Sequence, residues 1–131
     1  QKSPLITELA ELPNVHFLGY RAYQVLPDYL RGIQVGLLPS LINDYTRSMF
    51  PMKYYEYLAA GIPVASTRIA FTESQLEAIE IAEGTVEFIN AISIQINRGK
   101  FSKEQAGALV NSNTWQGRTL KMVSALHGIR L

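Results

Sequence analysis

The sequence predicts an α/β domain: a mainly parallel sheet with helices on its faces. Short apolar runs alternate along the chain with stretches of helical periodicity, the pattern of strand–helix–strand units. Each run closes on Gly, Pro or Ser, the residues that end strands and start turns. The chain has 131 residues, 47% apolar and 18% charged, enough for one buried core and too apolar for disorder.

Taken in order, Ser3 to Leu12 reads as a helix with Leu5, Ile6, Leu9 and Leu12 on one face, stopped by Pro13. Asn14 to Gly19 reads as a short strand. Tyr23 to Gly32 is a short helix that Pro27 bends or restarts, and Gln34 to Leu38 is a buried strand ended by Pro39-Ser40. A polar loop follows, from Leu41 to about Phe50. Pro51 to Ala60 is the clearest helix, with proline at its first position, Gly61 as a left-handed stop and Pro63 barring continuation. Val64 to Thr67 is a buried strand, Arg68 to Glu77 a loop with a turn of helix, and Ala78 to Ala82 fits a fourth strand. Thr85 caps a helix to about Asn97, with Val86, Ile89, Ile92 and Ile96 on its apolar side. Ser102 and Gln105 fit a capping box, and Asn113 or Thr114 caps a last helix from Trp115 to about His127.

Composition excludes several classes of function. The net charge is +1, from 12 basic and 11 acidic residues spread along the chain, which gives no electrostatic case for nucleic acid. With no cysteine there is no disulfide framework or Cys-ligated metal, which fits a reducing, cytoplasmic setting. His16 and His127 lie far apart, and His16 falls mid-strand, where a packing role outweighs that of a catalytic base.

In parallel sheets ligands bind at the carboxyl ends of the strands, here Gly19-Tyr20-Arg21, Pro39-Ser40 with its long loop, and Ser66-Thr67. The helix after that loop carries two charges only, Lys53 and Glu56, three residues apart and near its amino end. A helix amino end attracts anions, a lysine beside it adds a positive charge, and a carboxylate one turn deeper can accept from a pair of sugar hydroxyls. The arrangement reads as a nucleoside diphosphate site. A salt bridge between the two at the rim of the core explains the same spacing equally well.

The segment Pro51 to Thr67, PMKYYEYLAAGIPVAST, resembles the P-x-K-x-x-E-Y-L-A-x-G-x-P-V-x-[ST]-T signature of group 1 glycosyltransferases, in particular those building bacterial cell-surface polysaccharides. Asn14 to Gly19, Leu26 to Leu30 with Gln34 to Pro39, Glu87-Phe88, and Asn113 to Arg118 are similar to flanking segments of the same family. The resemblance implies a Rossmann-like domain, the donor-binding, carboxy-terminal half of a two-domain GT-B fold. Its substrate would be a nucleoside-diphosphate sugar of UDP or GDP type, with no cofactor and, lacking an Asp-x-Asp pair, no metal. It implies that Glu56 holds the ribose hydroxyls and Lys53 faces the phosphates. Tyr20 and Arg21 would lie near the nucleobase through main-chain groups, with Thr46, Arg47 and Ser48 approaching the sugar and diphosphate.

Two departures follow. Many retaining members carry a further glutamate where this chain has Ser48, so no sugar identity or stereochemical outcome is read here. Family members also have an amino-terminal acceptor domain and a strand ahead of the first helix, neither of which precedes Gln1. The resemblance therefore implies a domain incomplete on its amino-terminal side, with an exposed apolar edge or face there, and places the acceptor and catalytic base outside this chain. A non-catalytic nucleotide-sugar-binding module and, below it, a nucleotide-sugar epimerase of similar architecture are the competing readings. Tyr54, Tyr55 and Tyr57 are expected to be packing residues rather than sugar-stacking ones, Trp115 to anchor the last helix, with sugar binding the lesser alternative, and Asp44 to form a turn. Lys100, Lys103, Arg118 and Lys121 read as solvated charges, with peripheral contact to anionic lipid the less favoured alternative.

Overall fold

The computed structural model describes residues 4–49, 51–69 and 78–128. In chain order the elements are α1 (Pro4–Ala10), a 3-10 turn (Tyr23–Val25), α2 (Leu26–Gly32), β1 (Gly36–Leu38), α3 (Asp44–Ser48), α4 (Met52–Ala59), β2 (Val64–Thr67), β3 (Ile79–Ala82), α5 (Thr85–Arg98), α6 (Lys103–Val110), a second 3-10 turn (Asn111–Asn113) and α7 (Trp115–Gly128). The strands form one parallel sheet in the order β1-β2-β3, with Gly36 opposite Val64 and Val64 opposite Ile79.

Side chains alternate across a strand, so the two faces of this small sheet build two cores. Val64 and Ile79 point to one side and meet Tyr54 and Leu58 of α4, with Leu109 and Val110 of α6 packed behind. Ala65 and Ala82 point to the other side and meet Ala91 of α5, flanked by Phe88 and Ile92. The result is a helix–sheet–helix sandwich, the Rossmann-like class the sequence predicts, and α4 is the element whose position decides the site.

Why α4 stands where it does is local. Tyr54 and Leu58, four residues apart and both 0% exposed, form the stripe laid on the sheet. Gly36 on β1 permits that approach, since a Cβ there would lie 2.4 Å from the Tyr57 ring. Gly61 ends the helix at φ +71°. Its carbonyl accepts from Phe101 N at 2.8 Å, while a Cβ on it would lie 2.7 Å from the Phe101 carbonyl oxygen. The stop and the strand it feeds are thus fixed by one residue.

Several expectations need correction. Residues 14–19 form no strand: a strand exists only when its N–H and C=O groups find a neighbour, and none of the described strands lies beside this segment. The predicted polar loop contains α3, because Asn43 and Thr46 close a reciprocal capping box. Pro51 is the N-cap of α4 rather than its first helical residue, and Gly84, not Thr85, caps α5. α4 buries one face only, with Met52, Lys53 and Ala59 exposed. The buried side of α5 is Ala91 and Gln95, whereas Val86, Ile89 and Ile96 face outward. Alanines at 65, 82 and 91 bring helix and sheet too close for isoleucine, and Gln95 Nε2 donates to the Val64 carbonyl at 2.7 Å. The capping box at Ser102 and Gln105 is present, and Thr114 Oγ1 accepts from Gly117 N at 3.0 Å, which makes Thr114 the cap of α7. Of the expected loop and turn at Arg68 to Glu77, residues 70–77 lie outside the described residues.

Apolar side chains on α1 are exposed, Leu5 at 66% and Leu9 at 45%, and β1 is an edge strand of the described sheet. No helix among the described residues is long and apolar enough to cross a membrane.

Candidate functional site

At the carboxyl tips of the strands, hydroxyl groups tie the ends together. Ser40 N donates to Thr67 Oγ1 at 3.0 Å, and the Thr67 hydroxyl donates back to the Ser40 carbonyl at 2.9 Å. The loop leaving β1 is thereby pinned to the end of β2 before it enters α3. Thr46, 8% exposed, continues the pinning: its N–H donates to Asn43 Oδ1 at 2.9 Å, and its hydroxyl donates to the Leu41 carbonyl. Its hydroxyl is thus spent on holding the loop. Arg47 is exposed and pairs with Asp44 at 3.7 Å, so Asp44 acts as an ion-pair partner on α3 rather than as a turn former. Ser48 Oγ donates to the Tyr45 carbonyl at 3.2 Å.

Tyr20 is 90% exposed, and its carbonyl accepts from the Arg21 guanidinium at 2.8 Å. Arg21 Nε also donates to Tyr29 Oη at 2.7 Å, which fastens the Tyr20-Arg21 turn to α2. On α4, Lys53 Nζ lies 3.3 Å from Glu56 Oε2, with the side chains 62% and 24% exposed. The salt bridge weighed from the spacing therefore forms, at the surface, with the carboxylate the more enclosed partner.

A cleft of about 610 Å³ lies between α2, α4 and the α6–α7 connection, and neither Ser40 nor Thr67 of the strand tips lines it. Its walls include Tyr23 and Leu26, then Met52, Tyr55 and Glu56, and finally Trp115. Positions 52, 55, 56 and 59 recur at helical spacing, so α4 has two working faces: Tyr54 and Leu58 toward the sheet, and this second set toward the cleft. Of the seven residues singled out from sequence, only Glu56 lines the cleft; Lys53 bonds that carboxylate but is not itself part of the lining. Tyr20, Arg21, Thr46, Arg47 and Ser48 lie outside its lining.

The remaining polar groups reinforce these walls. Lys100 Nζ donates to the Arg31 carbonyl at 2.7 Å, capping the carboxyl end of α2, and is not the free surface charge expected. Arg118 lies over the Tyr55 ring, 5.8 Å from its centroid, and is likewise engaged. Burial raises the Tyr55 phenol above its ordinary value, and the hydrogen-bonded Arg118 guanidinium opposes part of that rise. Trp115 does not anchor its helix: it is 80% exposed, on a helix with no buried residue. Sequence reading misses the cleft residues Tyr23, Leu26 and Met52, and gives Trp115 a ligand role only as the lesser alternative. The one available signal was the second periodic face of α4.

A model of the family "Glycosyl transferases group 1" matches residues 1–97, which includes the strand tips, the loop and all of α4. The chain is also 31% identical over 114 residues to the "Putative teichuronic acid biosynthesis glycosyltransferase TuaH" of Bacillus subtilis (strain 168). That match takes in 82% of this chain and 29% of the relative, so the chain spans under a third of that protein's length. No solved structure matches it significantly. The signature on α4 and β2, the parallel sheet they sit in and these matches agree: the chain belongs to the group 1 glycosyltransferases, of GT-B type.

Proposed function

We propose that this chain is the donor-binding part of a glycosyltransferase acting in cell-surface polysaccharide synthesis, and that it holds a nucleoside-diphosphate sugar. The observation that carries the reading is the Glu56 carboxylate, 24% exposed, on the wall of an otherwise largely apolar cleft of about 610 Å³. A cleft of that size falls in the range of small-ligand sites, where a few polar groups among apolar walls set orientation. In this reading Glu56 accepts hydrogen bonds from the ribose hydroxyls while Lys53, sharing Oε2, faces the diphosphate. The amino end of α4 and Arg47 on α3 add positive potential as charge builds on the departing nucleoside diphosphate. The acceptor and the catalytic base are assigned to another part of a longer protein, consistent with the 29% of the relative that this chain spans.

Calorimetric titration of the chain with UDP, GDP and ADP tests the proposal. Saturable binding of at least one of them, lost in Glu56→Ala, is the expected result. No binding of any of the three would leave the donor reading without support.

A further inference from the structure

Trp115 does not behave as a core residue. Its indole lines the cleft and is 80% exposed, although it is the largest apolar side chain in the protein. An aromatic ring left open on the wall of a cleft has apolar surface to cover, and another flat, polarisable ring covers it best. We propose that Trp115 is a ligand-contacting residue of this cleft, stacking on the base of the bound nucleoside diphosphate. The proposal rests on the donor reading above and adds to it a specificity-determining residue, supplied by the last helix.

The surroundings fix the backbone that carries the indole. Thr114 accepts from Gly117 N at 3.0 Å and donates to the Asn111 carbonyl at 3.0 Å, fixing the backbone where α7 begins. One turn later Arg118 lies over the Tyr55 ring, 5.8 Å from its centroid, and so fastens α7 to the wall that carries Glu56. Tyr23, Leu26 and Met52 supply other apolar wall of the same cleft, so a planar ring entering it meets apolar surface beyond the indole. The carboxylate that would take the ribose and the indole that would take the base thus line one cavity, brought there from positions 56 and 115. Every base has a π-face, so such stacking raises affinity for nucleotides broadly. Choice among bases would then depend on how each ring's outline fits the cleft.

Trp115 is the single tryptophan of the chain, so its emission reports this site alone. The test titrates the 131-residue chain with UDP, GDP and base-free pyrophosphate, following tryptophan emission and heat together. Emission should change saturably with a nucleoside diphosphate and stay constant with pyrophosphate. Trp115→Ala should weaken nucleoside diphosphate binding about tenfold, the lower part of the range for one stacked base, with Trp115→Phe recovering most of it. Pyrophosphate binding should be the same in all three proteins. Because α7 buries no residue, the variants should keep the wild-type far-ultraviolet dichroism. Heat of binding unchanged in Trp115→Ala, with a silent indole in the wild type, would overturn the stacking and leave the donor site standing. Absence of any nucleotide heat in the wild type would remove the donor reading, and the stacking with it.

Discussion

Replacing Glu56 by Gln separates a ligand site from a structural ion pair, because the two roles predict opposite patterns. The pair with Lys53 is formed at 3.3 Å between side chains 62% and 24% exposed. Surface pairs at this helical spacing contribute about 0.2–0.5 kcal/mol, because solvent screens them and two long side chains must be ordered. Glu56→Gln keeps the shape, so it should cost no more than about 0.5 kcal/mol, a melting shift of about 2 °C for a domain of this size. Lys53→Ala should do much the same. In the donor reading the carboxylate accepts charge-assisted hydrogen bonds from ribose hydroxyls, each contributing about 1.5–3 kcal/mol. Affinity for a nucleoside diphosphate should then fall by about 10- to 150-fold in Glu56→Gln. Melting curves read by circular dichroism, alongside calorimetric titration of wild type and both variants, supply the two numbers. A drop in melting temperature above about 5 °C with affinity unchanged would refute the argument, since the pair would then be holding the fold and not the ligand.

Three further outcomes follow from the packing. Gly61→Ala forces a side chain onto a residue at φ +71° and sets its Cβ 2.7 Å from the Phe101 carbonyl oxygen. The two costs together come to about 2–5 kcal/mol, and the urea midpoint should fall accordingly. Ala91→Ile overfills the alanine cluster with Ala65 and Ala82 and should cost about 1–3 kcal/mol, whereas Ile89→Ala, at a position 59% exposed, should stay within about 0.5 kcal/mol. Equal effects in paired denaturation curves would mean that α5 is turned the other way. Tyr54 is 0% exposed, and burial chiefly, then its neighbour Tyr55, raises its phenol above the ordinary value of 10.0. Below that value both folded and unfolded chains hold the proton and pH has no effect through this group; above it the unfolded chain loses the proton first, so stability falls as pH rises. Tyr54→Phe should flatten the alkaline limb of a stability–pH curve, and an unchanged slope would count against this burial.

How much of this was legible beforehand depends on how far each feature reaches along the chain. The turn from α4 into β2 was readable because its determinants are adjacent: a left-handed Gly61, then Pro63, then a short uncharged segment that opens on Val64 and closes on Thr67. The capping box at Ser102 and Gln105 is local for the same reason. Asn43 with Thr46 had the same spacing and could have revealed α3; threonine in place of Glu or Gln hid it. Residues 14–19 show the opposite case, since alternation marks a segment able to pair but cannot supply the neighbour that turns it into a strand. On α5, periodicity correctly gave a helix, yet hydrophobicity chose the wrong side. Three small residues set the distance to the sheet, and close approach there outweighed the greater apolar area of Val86 and Ile89. The cleft is the least local feature, assembled from α2, α4 and the start of α7. A motif on α4 could therefore point to Glu56 but not to the indole that shares its cavity, because nothing in the spacing between positions 56 and 115 encodes their meeting. That meeting depends on the turn at Gly61, the docking of α6 on α4 and the hold of Arg118 on Tyr55, so Gly61→Ala or Arg118→Ala should disturb the cleft without changing a residue that lines it.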